Sequence, residues 1–372
     1  MVSKPLSDIL IEIDRHGSVA FSRFQTLALY GAGGFYEQGG PGRRRDFITS
    51  PEVGPLFGRL LARWIDRVWD DLGQPNPFVV VEAAAGNGIL AKAVLRSEPR
   101  CRSALRYIMV EQSGPKRAEQ ATHHSLTPPQ LGFAGADEDA DGEELASVAQ
   151  GPLVFSLTEV PRGPLVGVVF ANELLDNIVV DIVERTADGW NEIRVGRQDD
   201  QLIEVAVPAS SAHSDRANRL VPDAVVGQRI PIQNASYEWV RHALEQVERG
   251  QVLIIDYARV TSAMAAGDMG DWLRTYNDQE RGTQPLLSPG SRDITCDVAT
   301  DQLPAGFVQQ DQADWLGDLG IEELVAEGKA MWEAAASAPG LAAMEARSRI
   351  SEAEALTDPD GLGSFVAFTW TC

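Results

Sequence analysis

The chain has 372 residues, of which 44% are hydrophobic, so it is long enough for one large domain or two smaller ones. Its formal net charge of −22 argues against duplex nucleic acid as a partner, because phosphate binding needs a basic face. No apolar run is long enough to predict a membrane span, and the N-terminus lacks the continuous apolar stretch of a secretory signal. Three scattered cysteines predict no disulfide framework, no zinc site and a reducing compartment, so we expect a cytoplasmic protein.

Helical spacing of apolar residues predicts two helices between Leu6 and about Leu29. The glycine-rich segment that follows, YGAGGFYEQGGPGRRRDFITSPEVG, has no period and predicts a long functional loop. Ser50 as an N-cap and Pro51 in the first turn then begin a strong amphipathic helix. We expect residues 1–75 to form an N-terminal part made of helices and this glycine-rich lid loop.

From Phe78 onward, short apolar runs alternate with helical segments, which predicts a parallel sheet flanked by helices. The predicted strands are FVVVEA, LRYIMVE, LVGVVFANELLD, QVLIIDYA and the closing GSFVAFTW. Between the third and fourth of these, IVVDIVERTADGWNEIRVGRQDDQLIEVAVP alternates with period two and predicts an antiparallel insertion. We expect residues 76–372 to form the core, with insertions at about residues 177–210 and 260–300.

The stretch VEAAAGNGILA leaves a buried strand through Gly86 and Gly88 and enters a helix. Glycine permits positive φ and close approach of a ligand, and the free amides of the helix face the same crevice. Ala91 completes a G-x-G-x-x-A spacing, and Glu111 ends the next strand, so spacing alone also fits a dinucleotide. The glycines therefore leave two cofactors open, NAD and a sulfonium nucleoside.

Glu82 favours the sulfonium nucleoside. It lies four residues before Gly86, where a carboxylate suits the cationic amino acid moiety of S-adenosylmethionine. The same carboxylate would repel a pyrophosphate in a low-dielectric cleft. Glu111 is expected to accept hydrogen bonds from the two ribose hydroxyls of either cofactor. The adjacent His123 and His124 are interpreted as solvated side chains rather than ligands.

Several motifs resemble those of the MidA-type class I methyltransferases that depend on S-adenosylmethionine. They are the aromatic-glycine loop with RDFITSPEVGPLFG, the turn VVEAAAGNGIL, the strand ends VVFANELLDNIVV and VLIIDYA, and the block GDWLRTYNDQERGTQPLLSPGSRDITCDV. They occur in the order of that family, from about Leu6 to the end of the chain. The resemblance implies an α/β fold with a mostly parallel, seven-stranded Rossmann-like sheet, helices on both faces, an N-terminal helical extension and an antiparallel β insertion.

The resemblance further implies methyl transfer from S-adenosylmethionine to a protein, with an arginine side chain as one option, because mitochondrial members methylate an arginine. Glu173 is expected to orient the acceptor through charge-assisted hydrogen bonds, with Asp176 in support and Asp46 pairing with a cationic group. The alternative for Glu173 and Asp176 is that they only cap the following turn. Cofactor contacts are expected at Glu82, Ala84, Gly86, Gly88, Glu111, Asn172, Phe47 and Thr49.

Two departures from the family pattern keep alternatives open. Ala84 and Ala85 replace a glycine and a proline, and Leu174 and Leu175 replace two phenylalanines beside the expected acceptor. A binding-only assembly factor without methyl transfer is one alternative. An NAD-dependent dehydrogenase is another, although no hydride-transfer histidine or Tyr-Lys pair is evident. A protein substrate is the expected partner, a homodimer is compatible with the sequence, and the acceptor atom stays open.

Overall fold

The structure is a computed structural model that describes residues 3–38, 49–129, 150–277, 280–335, 337–338 and 340–372. The chain divides into two compact units. The sheet unit comprises the described parts of Ile48–Glu173, His242–Ile255 and Gly306–Cys372, and the insertion unit those of Met1–Phe47, Leu174–Arg241 and Asp256–Ala305. The division predicted at about residue 75 stays a prediction.

The helices are those of a mixed α/β chain and vary from four to 17 residues in length. In chain order they are α1 (Lys4–His16), α2 (Phe21–Gln25), α3 (Ser50–Val53), α4 (Pro55–Asp71), α5 (Ile89–Arg96), α6 (Gly114–His123), α7 (Ser211–Leu220), α8 (Asn234–Gln246), α9 (Thr261–Ala266), α10 (Met269–Trp272), α11 (Gln312–Asp318), α12 (Ile321–Ala334) and α13 (Leu341–Leu356). A π-helix covers Thr26–Tyr30, and 3₁₀ helices cover Arg100–Ser103, Leu175–Asn177, Thr300–Gln302 and Leu362–Ser364.

The strands follow the same chain order. They are β1 (Val19–Ala20), β2 (Phe78–Ala83), β3 (Leu105–Val110), β4 (Leu153–Leu157), β5 (Leu165–Asn172), β6 (Asp181–Thr186), β7 (Gly189–Gln198), β8 (Gln201–Pro208), β9 (Arg229–Ile232), β10 (Val247–Asp256), β11 (Ala258–Arg259), β12 (Leu273–Asn277), β13 (Glu280–Gly282), β14 (Asp293–Cys296), β15 (Val298–Ala299), β16 (Val308–Asp311) and β17 (Val366–Thr371).

Within the described residues, the sheet unit has one seven-stranded sheet in the order β16-β17-β10-β5-β2-β3-β4. Strands β10, β5, β2, β3 and β4 are parallel to one another, and β16 is antiparallel to β17. Gly250 and Cys372 exchange two backbone hydrogen bonds of 3.2 and 2.9 Å, which is the antiparallel pattern for β17 against β10. The chain extends the sheet from β2 to β3 and β4, then returns to β5 on the other side, so the strand order reverses between β2 and β5.

Parallel strands need helices on both faces, which is why their sequences are nearly continuous apolar runs. All six residues of β3 are buried. Helix α4 packs on β5, where Trp64 meets Phe170 edge to face with ring centroids 6.2 Å apart. Burial of each such side chain contributes about 1.5–3 kcal/mol, and this packing holds the carboxyl ends of the central strands in place.

The insertion unit is built from antiparallel ribbons, as the period-two sequence predicts. Strand β7 pairs with β6, β8 and β1, all antiparallel, and β6 also pairs with β9. A second antiparallel sheet joins β13, β12 and β14, while β11 and β15 form a short parallel pair. Apolar side chains from α1, α2, β7 and β12 share one buried core, in which Phe24 and Trp272 have no exposed surface.

Several elements differ from the sequence predictions. Strands β4 and β16 and helix α13 were not predicted. LVFSL is only five residues long, and VQQD is both short and polar. Helix α8 ends at Gln246 rather than at Gly250, since Val247 already pairs with Leu165 of β5. Long-range pairing with a neighbouring strand overrides the local glycine stop signal here.

The start of the α3–α4 segment also differs from the prediction. Thr49, not Ser50, is the N-cap, and it forms a capping box with Glu52. Gly54 has a φ of 158° and separates α3 from α4, so the predicted single helix is two helices.

Candidate functional site

Three polar side chains lie at the carboxyl edge of the sheet unit, where the strand order reverses. Glu82 is the last residue but one of β2, Glu111 directly follows β3, and Asn172 ends β5. β2 pairs with both β3 and β5, so these side chains come from three adjacent strands. Open parallel sheets bind their ligands at this edge, as the sequence predicts for this chain.

The turn from Ala84 to Gly88 joins β2 to α5 at the same edge. Ala84, Gly86 and Gly88 have φ values of 55°, 54° and 81°, a left-handed conformation that costs alanine about 1–2 kcal/mol. A Cβ placed on Gly86 would meet no atom within 4 Å, whereas one on Gly88 would lie 2.9 Å from the sulfur of Met109. The turn is therefore open at Gly86 and tightly packed at Gly88.

Glu82 is 4% exposed, and its Oε2 accepts a hydrogen bond of 2.6 Å from the hydroxyl of Tyr107 on β3. Burial raises the pKa of Glu82 to about 8, although the Tyr107 hydroxyl opposes the rise, and the charge of Glu111 adds to it. Most Glu82 side chains are therefore protonated at pH 7. A cation placed beside this carboxyl group would favour its ionised form.

Glu111 ties the glycine turn to β3. Its Oε2 accepts the backbone N–H of Gly86 at 2.9 Å, and its Oε1 accepts that of Ser113 at 2.7 Å. Each oxygen keeps a second lone pair, because a carboxylate can accept about four hydrogen bonds. Glu111 can therefore hold the turn and still accept two hydroxyl groups.

The side chains of Gln120 and His124 form hydrogen bonds with backbone carbonyl groups of the turn. The Gln120 amide donates to the Gly86 carbonyl at 2.8 Å, and the Ser156 hydroxyl donates to Gln120 Oε1 at 2.5 Å. His124 Nε2 lies 2.8 Å from the Gly88 carbonyl, and burial lowers the pKa of His124. The expectation that His124 is merely solvated is therefore wrong, since its ring holds the backbone of the turn.

Asn172 and Glu173 follow β5 as predicted. The Asn172 Nδ2 donates to Glu173 Oε1 at 2.9 Å, and the backbone N–H of Glu173 donates to the Ile255 carbonyl at 2.9 Å. Asn172 Oδ1 is buried without a hydrogen-bond partner among the described residues. Glu173 has a φ of 53°, a strained conformation for a residue other than glycine.

Asp176 belongs to the insertion unit, in the 3₁₀ helix Leu175–Asn177. It is 2% exposed, and its Oδ2 accepts the Tyr257 hydroxyl at 2.6 Å. Burial raises the pKa of Asp176 to about 6, with the Tyr257 hydrogen bond and the charge of Arg274 opposing the rise. The backbone amides of Leu175 and Asp176 are capped by Asp256 at 2.9 and 3.2 Å. Asp256 therefore caps the first amides of this turn, and a backbone hydrogen bond from Asn177 also lowers the pKa of Asp176. The predicted supporting role of Asp176 and the alternative that it only caps the turn both stay predictions.

Two other predicted site residues cannot be placed. Asp46 and Phe47 lie outside the described residues. Thr49 is the N-cap of α3, which satisfies a helix amide, and its contact with a cofactor stays a prediction.

The sequence predictions missed two tyrosines whose hydroxyl groups donate hydrogen bonds to carboxylates, Glu82 in the sheet unit and Asp293 in the insertion unit. Tyr107 is fully buried in β3 and donates to Glu82, and Tyr36 donates to Asp293 at 3.0 Å. A tyrosine inside a buried apolar run such as LRYIMV is a usable signal, because its hydroxyl needs a buried partner. The identity of that partner depends on strand register, which the sequence does not state.

These features define a class of protein. A glycine turn after the first parallel strand, a helix beginning at that turn, and acids ending the first two strands form a nucleoside site of the Rossmann-like kind. Among the described residues, no group of three His, Cys, Asp or Glu side chains could hold a metal ion.

Comparison with known proteins identifies the family. Residues 60–318, more than two thirds of the chain, match the family described as "Putative S-adenosyl-L-methionine-dependent methyltransferase". The chain belongs to this family, which confirms the resemblance seen in the sequence. A crystal structure of a methyl transferase candidate from Burkholderia thailandensis bound to S-adenosyl-homocysteine has a TM-score of 0.77 and 25% identity, covering 98% of this chain and 91% of that one. The predicted class I methyltransferase fold is confirmed.

Two curated relatives carry functional names. The chain is 28% identical over 281 residues to a Drosophila melanogaster protein named protein arginine methyltransferase NDUFAF7 homolog, mitochondrial, covering 69% of this chain and 59% of the relative. It is 27% identical over 319 residues to the Mus musculus protein arginine methyltransferase NDUFAF7, mitochondrial, covering 80% and 68%. The chain thus spans about three fifths to two thirds of the length of these relatives.

The predicted cytoplasmic location is wrong, because these curated relatives are mitochondrial proteins and point to mitochondria instead. The prediction depended on scattered cysteines and a missing secretory signal, and neither feature separates the cytoplasm from another reducing compartment. In the described part of the chain, no helix combines the length and the apolar character that crossing a bilayer requires.

Proposed function

We propose that this chain transfers a methyl group from S-adenosylmethionine to a protein side chain, with the guanidinium group of an arginine as the acceptor. The observation that carries the proposal is the acidic edge of the sheet unit, where Glu82 and Glu111 flank the open turn at Gly86. When bound, S-adenosylmethionine supplies an electrophilic methyl group on a sulfonium. The names of the curated relatives support an arginine acceptor.

The residues at this edge fit the methyl donor. Glu82 provides a buried carboxyl group for the cationic amino acid moiety, and Glu111 keeps lone pairs for the ribose hydroxyls. The backbone at Gly86 leaves room for close approach. The unpartnered Oδ1 of Asn172 suits a donor from the adenine or the methionine portion. A dinucleotide fits less well, since its pyrophosphate would bring no cation to the buried carboxyl group of Glu82.

Glu173 orients the acceptor in this proposal. Its strained backbone holds the carboxylate in a fixed position beside Asn172, and strained residues cluster at functional sites. Positioning of reactants can supply about 7–11 kcal/mol of a barrier, which suits an in-line methyl transfer. Asp176 keeps its predicted supporting role. Asp46 keeps its predicted role in pairing with a cationic group, and Phe47 its predicted contact with the cofactor.

The test is transfer of a labelled methyl group from S-adenosylmethionine by the full chain to proteins of a strain that lacks it. Mass spectrometry of that strain and its parent should show one or more methylated arginines that depend on the chain. The Glu173→Gln variant should keep cofactor binding and lose transfer. Cofactor binding without transfer by the wild type would instead support a binding-only assembly factor, and saturable NAD binding would support a dehydrogenase.

A homodimer and the exclusion of nucleic acid also stay predictions from the sequence. Sedimentation analysis at several protein concentrations tests the first, and titration with duplex DNA at low salt tests the second.

A further inference from the structure

Side chains of the sheet unit hold both polar atoms of the Gly86 backbone. The N–H of Gly86 donates to Glu111 Oε2 at 2.9 Å, and its carbonyl accepts a hydrogen bond of 2.8 Å from the Gln120 amide. A Cβ placed on Gly86 would meet no atom within 4 Å, so no neighbouring atom confines the residue on that side. Because glycine adopts more backbone conformations than any other residue, these two side chains set the orientation of its peptide groups.

The amide group of Gln120 is itself fixed at both ends. The residue lies on α6 and has no exposed surface. The Gly86 carbonyl can only accept a hydrogen bond, so the Gln120 Nε2 must face it. The Gln120 Oε1 then accepts the hydroxyl of Ser156, on β4, at 2.5 Å. A buried amide with a partner at each end keeps one orientation, because turning it over would break both hydrogen bonds.

Helix α6 also contacts the second glycine of the turn. His124 directly follows α6, four residues after Gln120, so the two side chains share one face of the helix. The Nε2 of His124 lies 2.8 Å from the Gly88 carbonyl. At the other end of α6, the N-cap residue Ser113 donates its backbone N–H to Glu111 Oε1 at 2.7 Å. One helix therefore holds both glycines of the turn and is tied to the acid that ends β3.

The direction of the Gly86 carbonyl determines where the next backbone N–H points. The peptide between Gly86 and Asn87 is trans and planar, so the carbonyl and the N–H of Asn87 point in opposite directions. Because Gln120 binds the carbonyl, the Asn87 N–H points away from Gln120. It donates to no atom of the described residues. The turn thus offers a ligand one backbone donor, whereas a turned-over peptide would present a carbonyl oxygen in its place.

We propose that Gln120 is a positioning residue for the cofactor. Its amide holds the Gly86 carbonyl back and leaves the Asn87 N–H to an acceptor atom of S-adenosylmethionine, and Ser156 keeps that amide in the required orientation. This inference rests on the proposed function and adds to it a buried residue that acts on the cofactor through the backbone of the turn. A preorganised donor strengthens binding, because the ligand does not have to order it.

The test measures binding of S-adenosyl-homocysteine to the full chain by isothermal titration calorimetry. Gln120→Met keeps the length of the side chain and removes its hydrogen bonds, and it should bind roughly three- to tenfold more weakly, the value of one net hydrogen bond. Gln246→Met is the matched control. Gln246 is also buried in the sheet unit, and its Oε1 accepts the backbone N–H of Gly163, just before β5 and therefore at the opposite edge of the sheet. Both variants should melt at a lower temperature, but Gln246→Met should bind like the wild type.

The Gln120→Glu variant separates the orientation of the peptide from the packing around it. A buried carboxyl group stays protonated to higher pH, and its O–H can donate to the Gly86 carbonyl while its other oxygen accepts from Ser156. Once ionised, the group has no donor for the carbonyl. The affinity of this variant relative to the wild type should therefore be near one at about pH 5.5 and fall as pH rises to about 9. The relative affinity of Gln120→Met should not change with pH.

The outcomes separate this inference from the proposed function. If Gln120→Met binds like the wild type, or Gln246→Met loses as much affinity, the positioning role is refuted while methyl transfer stands. A relative affinity of Gln120→Glu that does not change with pH also refutes it. If the variants behave as expected but the chain methylates no protein, the proposed function fails and the positioning role stands. If the wild type binds no S-adenosyl-homocysteine, both fail. If Gln120→Met does not fold, Gln120→Glu decides, together with Ser156→Ala, which should weaken binding less.

Discussion

The Glu82→Gln substitution should weaken binding of S-adenosylmethionine and remove a pH dependence that the carboxyl group imposes. Because the pKa of Glu82 is about 8, ionising it at pH 7 costs about 1.4 kcal/mol, against about 0.4 kcal/mol at pH 8. A charged hydrogen bond to the ligand contributes about 1.5–3 kcal/mol. The wild type should therefore exceed the variant by about 1–2.5 kcal/mol at pH 8 and by about 1 kcal/mol less at pH 7.

Isothermal titration calorimetry at the two pH values measures both quantities. Protonation of the ligand itself affects binding to both proteins equally, so the ratio of the two affinities reports the contribution of Glu82 alone. Titration in buffers of different ionisation heat should show release of about 0.9 proton per wild-type molecule at pH 7, since cation binding ionises the carboxyl group. The variant should release none from this position.

A matched control is the Tyr107→Phe variant, which keeps the carboxyl group and removes its hydrogen-bond donor. That donor lowers the pKa of Glu82, so its loss should move the pH dependence of affinity to higher pH. Equal affinities of wild type and the Glu82→Gln variant at both pH values, with no proton release, would refute the role given to Glu82.

Three further predictions concern stability and the turn. Ala84→Gly should stabilise the protein by about 0.5–1 kcal/mol in urea unfolding, because relief of the φ of 55° exceeds the entropy that glycine adds to the unfolded chain. Gly86→Ala should abolish cofactor binding and cost about 1–2 kcal/mol of stability through its φ of 54°. Gly88→Ala should lower the melting temperature further, since its Cβ would also lie 2.9 Å from the sulfur of Met109. The raised pKa of Asp293 means that its protonated form stabilises the fold below about pH 4, a contribution lost as pH rises through about 7. Asp293→Asn should therefore flatten the decline of stability with pH.

Each of these three predictions has an outcome that would contradict it. A less stable Ala84→Gly protein would show that the alanine side chain packs against something that outweighs backbone strain. Equal losses of cofactor affinity and stability in the two glycine variants would remove the distinction between an open and a packed position. Parallel curves of unfolding free energy against pH for wild type and Asp293→Asn would show that Asp293 keeps an ordinary pKa.

The parts of the site that the sequence predicts are those encoded locally. Gly86 and Glu82 lie within one strand-turn-helix stretch, and Glu111 ends the next strand, so their placement follows from strand ends alone. The parallel, helix-flanked character of the central sheet also follows, because apolar runs alternate with helical segments. Its strand order was not predicted, since β4 and β16 were not predicted. These predictions needed no knowledge of which side chains touch.

The contacts that set the chemistry join distant parts of the chain. Tyr36 reaches Asp293 across 257 residues, and Tyr257 reaches Asp176 across 81. The hydrogen bond between His124 and the Gly88 carbonyl depends on how the backbone folds and not on any sequence spacing. The N-cap error is different, because its signal is local: Thr49 and Glu52 have the T-x-x-E spacing of a capping box, whereas the prediction used Ser50.

The most direct measurement of the central claim is a crystal structure of the full chain with S-adenosyl-homocysteine. We predict that the ribose hydroxyls lie within about 2.6–3.2 Å of the Glu111 carboxylate. The amino acid portion should extend toward Glu82, with the backbone of Gly86 against the ligand. A ligand bound elsewhere, or a turn closed by its own side chains in crystals grown at saturating ligand, would contradict the account.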